Sequence, residues 1–122
     1  MASIIIASGE QSGVFLPLGK GAVVIGRAEN LPMQVVDEKV SRKHIQIKPG
    51  DDGLFRLTDM GSSNGTSVGG RKISDETILR DGDEIEIGST KLIFTTDDPK
   101  DRPNAMEVLK KVGQRGRSTL MR

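Results

Sequence analysis

The sequence predicts an all-β fold, an eleven-stranded, two-sheet sandwich that is largely antiparallel. Three observations predict it. Short runs with period-2 alternation or β-branched enrichment recur at fairly even spacing; each is bounded by Gly, Pro, Asn or Asp; and no helical pattern separates them. Parallel strands need crossovers of about a dozen residues or more, and none is present between these runs.

The first run is SIIIAS at 3–8. The apolar part of MASIIIASGEQSG is too short for a secretory signal and lacks its basic flank, so it reads as a strand. GVFLPL (13–18), AVVIG (22–26) and MQVV (33–36) follow. In HIQIKP (44–49), Ile45 and Ile47 alternate with Gln46 and Lys48; in DEIEIG (83–88), Ile85 and Ile87 alternate with Glu84 and Glu86. Both are half-buried strands with one wet face. LFRLTD (54–59), TSVG (66–69), RKI (71–73), TILR (77–80) and TKLIFTT (90–96) complete the set. Phe15, Phe55 and Phe94 sit inside strand runs beside apolar partners and read as core.

At residue 97 the composition changes. DDPKDRPN is a linker with two prolines, and AMEVLKKV after it has a short helical pattern. Asn104 with Glu107 fits a capping box, Gly113 can end the helix, and Val108, Leu109 and Val112 share one face. That helix either packs on the sandwich or frays in solvent, with partner binding as the alternative. The expected organisation is a domain over residues 1–97, then a linker, a short amphipathic helix and a basic flexible tail over 98–122.

A chain of 122 residues is long enough for one domain with a real core. It has no cysteine, which excludes a disulfide framework, a thiolate metal site and a cysteine nucleophile, and fits a reducing, cytoplasmic setting. No apolar run approaches membrane-spanning length, so no membrane partner is expected. The formal net charge of +1 hides a split: residues 1–96 carry eleven basic and thirteen acidic side chains, the remaining 26 carry seven and four. Neither part looks built for a polyanion. With no Trp, no Tyr and three Phe, the chain also lacks the stacking platforms that hold single-stranded nucleic acid.

On a sandwich, chemistry belongs on the loops at one end. Three stand out: IGRAENLP at 25–32, DEKVSRKH at 37–44 and GSSNGT at 61–66. Asn-Gly alone signals a tight turn, but a turn needs only about two residues. Six small polar residues together add hydroxyls, an amide and exposed backbone N–H groups. With Arg27 and Arg42 they offer planar donor forks and neutral hydrogen bonds suited to an anion, a phosphorylated side chain above all. Each residue also has a plainer reading. Arg27 after a strand is equally a surface charge, and Lys39 and Lys43 are of the kind that is usually just solvated.

Ser41 and His44 suggest a nucleophile and base, but no orienting acid is evident, so no catalytic residue is expected. GSSNGT lacks the Lys-Ser/Thr of a nucleotide-phosphate loop. Asp81-Gly82-Asp83-Glu84 lacks the spaced ligands of a calcium loop, and neither metal nor cofactor is expected.

Gly26-Arg27, Ser41-Arg42-Lys43-His44, residues 61–66, and Leu79-Arg80-Asp81-Gly82-Asp83-Glu84-Ile85 with Gly88 stand in this order and at these spacings. Together they resemble the forkhead-associated (FHA) domain family over roughly residues 3–96. The resemblance implies a β-sandwich whose loops bind phosphothreonine in an extended peptide. It implies that Arg27, Ser41, Arg42 and Ser63 meet the phosphate and that Asn64 holds the peptide backbone. It further implies that Gly26, His44, Gly61, Gly65 and Thr66 support the loops, and it leaves Lys39 and Lys43 as possible selectors of a neighbouring ligand residue. The implied role is a phosphothreonine reader whose partner is a Ser/Thr protein kinase or its substrates; the alternative on the same fold is a phosphate-independent assembly module. Basic residues precede Thr119, so its phosphorylation and docking on this domain or a neighbour's is a further hypothesis. A synthetic phospho-Thr119 tail peptide is then expected to shift the NMR resonances of Arg27 and Ser41 in the tail-less domain; unmoved resonances discard the idea.

Overall fold

A computed structural model of the chain describes residues 2–96. The helix and tail expected beyond residue 97 lie outside the described residues. Eleven strands are present: β1 (Ser3–Ile6), β2 (Phe15–Pro17), β3 (Val23–Gly26), β4 (Met33–Gln34), β5 (Ile45–Pro49), β6 (Phe55–Asp59), β7 (Thr66–Val68), β8 (Arg71–Lys72), β9 (Thr77–Ile78), β10 (Glu84–Ile87) and β11 (Thr90–Thr95). They form a six-stranded sheet in the order β2-β1-β11-β10-β7-β8 and a five-stranded sheet in the order β4-β3-β5-β6-β9. Pairing is antiparallel throughout except between β3 and β4, where Ile25 lies opposite Met33 in a parallel ladder. No helix among the described residues is long and apolar enough to cross a membrane.

Alternation sets which side chains meet between the sheets. Ile45 and Ile47 of β5 and Ile85 and Ile87 of β10 are buried, while Lys48, Glu84 and Glu86 point to water. With Ile4, Ile6, Ile25, Leu57, Leu92 and Phe94 they form the main core. β1 departs from alternation, because all four of its residues are buried. Being an interior strand between β2 and β11, it sends Ile4 and Ile6 inward, while Ile5 meets Ile93 under Phe15 and Ala7 on the outer face. Phe15 therefore belongs to a small satellite cluster and not to the main core, where Phe55 and Phe94 pack as a tilted pair 5.8 Å apart.

The MQVV run also ends early as a strand, at Gln34. The Val35 N–H still donates to the Gly26 carbonyl at 2.7 Å, but that of Val36 turns to the Gln11 side chain at 2.9 Å, and Val36 is exposed. A side-chain acceptor from the β1–β2 loop has replaced a strand partner.

Register places the functional loops together. Ile25 pairs with Ile45, and Ile45 pairs with Asp59, so the end of β3, the start of β5 and the end of β6 lie side by side. The β3–β4, β4–β5 and β6–β7 loops consequently emerge at one pole. Leu57, fully buried at the centre of β6, tests the packing that carries them. Leu57→Ala is expected to cost about 2–5 kcal/mol and Ile45→Val about 0.5–1.5 kcal/mol in urea unfolding. A Leu57→Ala loss below about 1 kcal/mol would contradict the core described here.

Candidate functional site

β3 runs out at Gly26, and its backbone continues against the β4–β5 loop. The Arg27 N–H donates to the Ser41 carbonyl at 3.0 Å and that of Ala28 to the Arg42 carbonyl at 3.2 Å. The approach is so close that a Cβ on Gly26 would strike the Ser41 and Arg42 backbone. Only glycine lets Arg27 start from this position. Its Nε donates to the Val40 carbonyl at 3.0 Å, which fixes the plane of the guanidinium. Both terminal nitrogens are left without a hydrogen-bond partner among the described residues. Arg27 and Arg42, both exposed, line one open cavity of about 440 Å³ together with Ala28, Glu29, Asn30 and Gln34.

The β4–β5 loop, which brings Arg42 to the cavity, is sewn to the β6–β7 loop, no residue of which lines it. His44 is completely buried. Its Nδ1 accepts the Ser41 backbone N–H at 3.0 Å, so the ring proton is on Nε2, which donates to the Gly65 carbonyl at 2.8 Å. The Ser63 N–H donates to Ser41 Oγ at 3.1 Å, and Asn64 Nδ2 donates to the Lys39 carbonyl at 2.7 Å. Ser63, Asn64, Lys39 and Lys43 are exposed, and Ser41 is half-buried. The structure thus joins Arg27 with Arg42 in the cavity and ties Ser41, Ser63 and Asn64 into one hydrogen-bonded rim. It brings none of Ser41, Ser63, Asn64, Lys39 and Lys43 into the cavity wall.

The β6–β7 loop is built around the carboxylate of Asp59. Oδ1 accepts the N–H groups of Gly61 and Ser62, each at 2.8 Å, and Oδ2 accepts the hydroxyls of Ser62 and buried Thr66, each at 2.6 Å. Ser62 Oγ in turn accepts the Gly65 N–H at 2.9 Å. Gly61 and Gly65 have φ near 79° and 82°, the left-handed region that side-chain-bearing residues avoid. Burial pushes the Asp59 carboxyl up, but the hydrogen bonds from Ser62, Thr66 and Gly61 outweigh it and hold the group below its usual range.

Asp59 is also the acid that no sequence feature linked to His44; Oδ2 lies 4.0 Å from Nε2. The three residues do not make a hydrolytic triad. Both His44 nitrogens are bonded to backbone groups, and what Ser41 presents to the ring is its N–H and not its hydroxyl.

A second carboxylate braces the β4–β5 loop. Asp37 Oδ1 accepts the Lys39 N–H at 2.9 Å, while Oδ2 accepts the Ser89 N–H at 2.7 Å and the Thr90 hydroxyl at 2.8 Å. Here too burial raises the carboxyl, and the Lys39, Thr90 and Ser89 donors more than reverse it. Sequence reasoning missed both aspartates. Asp59 was findable, because Asp followed by Gly and Ser two and three places on is an Asx-turn pattern. Half of the Asp37 pattern is equally local, but its anchor on Ser89 and Thr90 lies more than fifty residues away. Glu29, Asn30 and Gln34 carried no signal beyond loop composition.

Comparison with known proteins bears on what this pole does. A family model described as FHA domain matches residues 23–88. The glycogen accumulation regulator GarA of Mycolicibacterium smegmatis is 33% identical over 95 residues, covering 78% of this chain and 59% of that protein. The oxoglutarate dehydrogenase inhibitor of Corynebacterium diphtheriae is 32% identical over 91 residues, covering 75% of this chain and 62% of that one. The chain thus spans about three fifths of the length of these relatives. Among solved structures, the N-terminal FHA domain of S. cerevisiae Rad53p in complex with a phosphothreonine peptide superposes with a TM-score of 0.70. It is 25% identical, with 80% of this chain and 94% of that one covered.

The two aspartates set an acid limit on the loops. A folded-state pKa below the unfolded value means the stabilisation is complete above the unfolded pKa and is lost as pH falls through the folded one. In an NMR acid titration, the amides of Lys39, Gly61, Ser62 and Ser89 are expected to stay native through the ordinary aspartate range near pH 4 and to move only below it. A transition centred at or above about pH 4 would contradict the bonding described. Asp59→Ala, which strips the acceptor from four donors, is expected to lower stability by about 2 kcal/mol or more.

Proposed function

Because the chain belongs to the FHA domain family, we propose that it is a non-enzymatic module that docks a phosphothreonine-containing segment of a partner protein. The observation that carries this reading is the pairing of Arg27 and Arg42 on one open cavity, with the Arg27 guanidinium tied back through Nε and its outer fork uncommitted. A phosphorylated threonine brings about −1.5 to −2 charges and three acceptor oxygens, matching two planar donor forks. In this reading Arg27 grips the phosphate, Arg42 adds a second cation, and the Ser41 and Ser63 hydroxyls complete the shell of donors around its oxygens. Asn64, held by Lys39, keeps its Oδ1 and remaining N–H for the ligand's main chain. Lys39 and Lys43 stand outside the cavity as surface charges able to meet residues further along the ligand. Gly26, His44, Gly61, Gly65 and Thr66 hold the loops.

The likeness to a domain that holds a phosphothreonine peptide supports the ligand class. The names of the relatives, a regulator and an inhibitor, support a role in controlling other proteins. The partner class that follows is a Ser/Thr protein kinase or its substrates, met in the cytoplasm. Binding energy comes from charge-assisted hydrogen bonds, each worth about 1.5–3 kcal/mol net.

Arg27→Ala is expected to weaken phosphothreonine-peptide binding by about 2–5 kcal/mol in calorimetry while the sandwich still unfolds cooperatively. A randomised peptide library in Thr, phospho-Thr and phospho-Ser forms is expected to be retained only as phospho-Thr. Indifference to phosphorylation, or equal affinity of Arg27→Ala and the parent, would replace this reading with a phosphate-independent assembly module.

A further inference from the structure

The cavity shared by Arg27 and Arg42 is larger and more varied than a phosphate group needs. Its volume of about 440 Å³ falls in the range of roughly 300–1,000 Å³ typical of pockets that bury a whole small molecule. The remainder of its lining has a chemistry of its own. Opposite in character to the guanidinium groups are Glu29, Asn30 and Gln34. Gln34 donates from Nε2 to the Arg27 carbonyl at 3.1 Å, which leaves its Oε1 as an acceptor. Glu29 is exposed and, although it lines the same cavity as two arginines, makes no ion pair with any described residue. The cavity therefore combines N–H donors and positive charge with carboxylate and amide oxygens.

A phosphate alone is poorly matched to that combination, since Glu29 repels the group that Arg27 and Arg42 attract. A ligand carrying a cation beside its phosphate satisfies both parts at once, because the cation meets the carboxylate while the phosphate meets the guanidinium groups. We propose that Glu29, with Gln34, reads a lysine or arginine flanking the phosphothreonine. The ligand class is then narrower than phosphothreonine in general: a phosphorylated threonine with a basic neighbour. This rests on the phosphothreonine reading above and adds to it a specificity-determining residue. Because Glu29 is exposed, its contribution is modest, falls with salt, and acts more on selection among ligands than on affinity as a whole.

The test uses the full chain and an alanine-flanked phosphothreonine peptide into which Lys, Ala or Glu is walked through each flanking position. Affinities are measured by fluorescence polarisation at low and high salt. At one position Lys is expected to bind about two- to fivefold tighter than Ala, with Glu weaker than Ala, the difference shrinking at high salt. Glu29→Gln is expected to collapse both the Lys advantage and the Glu penalty, and Glu29→Lys to reverse their order. Circular dichroism of each variant checks that the sandwich is intact. The proposal is overturned if no position favours Lys, or if the preference survives Glu29→Gln. If the alanine-flanked peptide binds no better phosphorylated than unphosphorylated, the phosphothreonine reading itself fails and takes this proposal with it; a phosphate requirement without a Lys preference removes the proposal alone.

Discussion

His44 is the joint on which the site pole depends. A fully buried imidazole is tolerated only if both nitrogens are satisfied, since an unpaired polar group in the interior costs on the order of 1–3 kcal/mol. Here one nitrogen accepts from the Ser41 backbone and the other donates to the Gly65 carbonyl. The ring therefore sets the separation of two loops that arrive from different strands. Once that separation is set, Ser63 reaches Ser41 and Asn64 reaches Lys39, so the rim closes through backbone groups and short side chains. Longer residues at these positions would lose more rotamer freedom to achieve the same closure.

Each of the two loops is also anchored from beneath by a carboxylate. Asp59 gathers four donors of its own loop, and Asp37 ties the other loop to the β10–β11 hairpin. A carboxylate suits the task because it accepts at several lone-pair sites and its hydrogen bonds are charge-assisted. The anchors differ in what they couple. Asp59 gives the β6–β7 loop a shape that it keeps by itself, whereas Asp37 makes the position of the β4–β5 loop depend on the opposite sheet. Asp37 is thus the link between the backbone of Lys39 and the turn at Ser89 and Thr90, far off in sequence.

The charge of the site is local. Residues 1–96 carry eleven basic and thirteen acidic side chains, so the sandwich as a whole offers an anion no general attraction. In the proposed function, selectivity for a phosphorylated ligand comes from the placement of Arg27 and Arg42 on one cavity, and a misplaced guanidinium would be an ordinary surface charge. This is why Gly26 matters: the close backbone contact it permits with Ser41 and Arg42 carries the two arginines to the same opening.

The eleven strands, their largely antiparallel pairing and the three polar loops at one pole were legible in the sequence, because alternation and turn residues are local properties of the chain. Through composition and register of motifs the sequence also marked Arg27, Arg42 and the GSSNGT loop as candidates for anion binding, of which the structure places Arg27 and Arg42 on one cavity. What it did not reveal has a common cause. The assignment of Phe15 to a satellite cluster, the early end of β4, the role of Asp37 and the acceptor wall of Glu29 and Gln34 each depend on which residues meet across the fold. Ile5, outward by alternation, is buried only because Ile93 and Phe15 of the neighbouring strands cover it, Val36 turns only because Gln11 is there to accept it, and Asp37 has its full set of donors only where the β10–β11 hairpin comes alongside. Such contacts join residues far apart in the chain, and no periodicity or motif spacing records them; they exist only once the two sheets and their loops have packed.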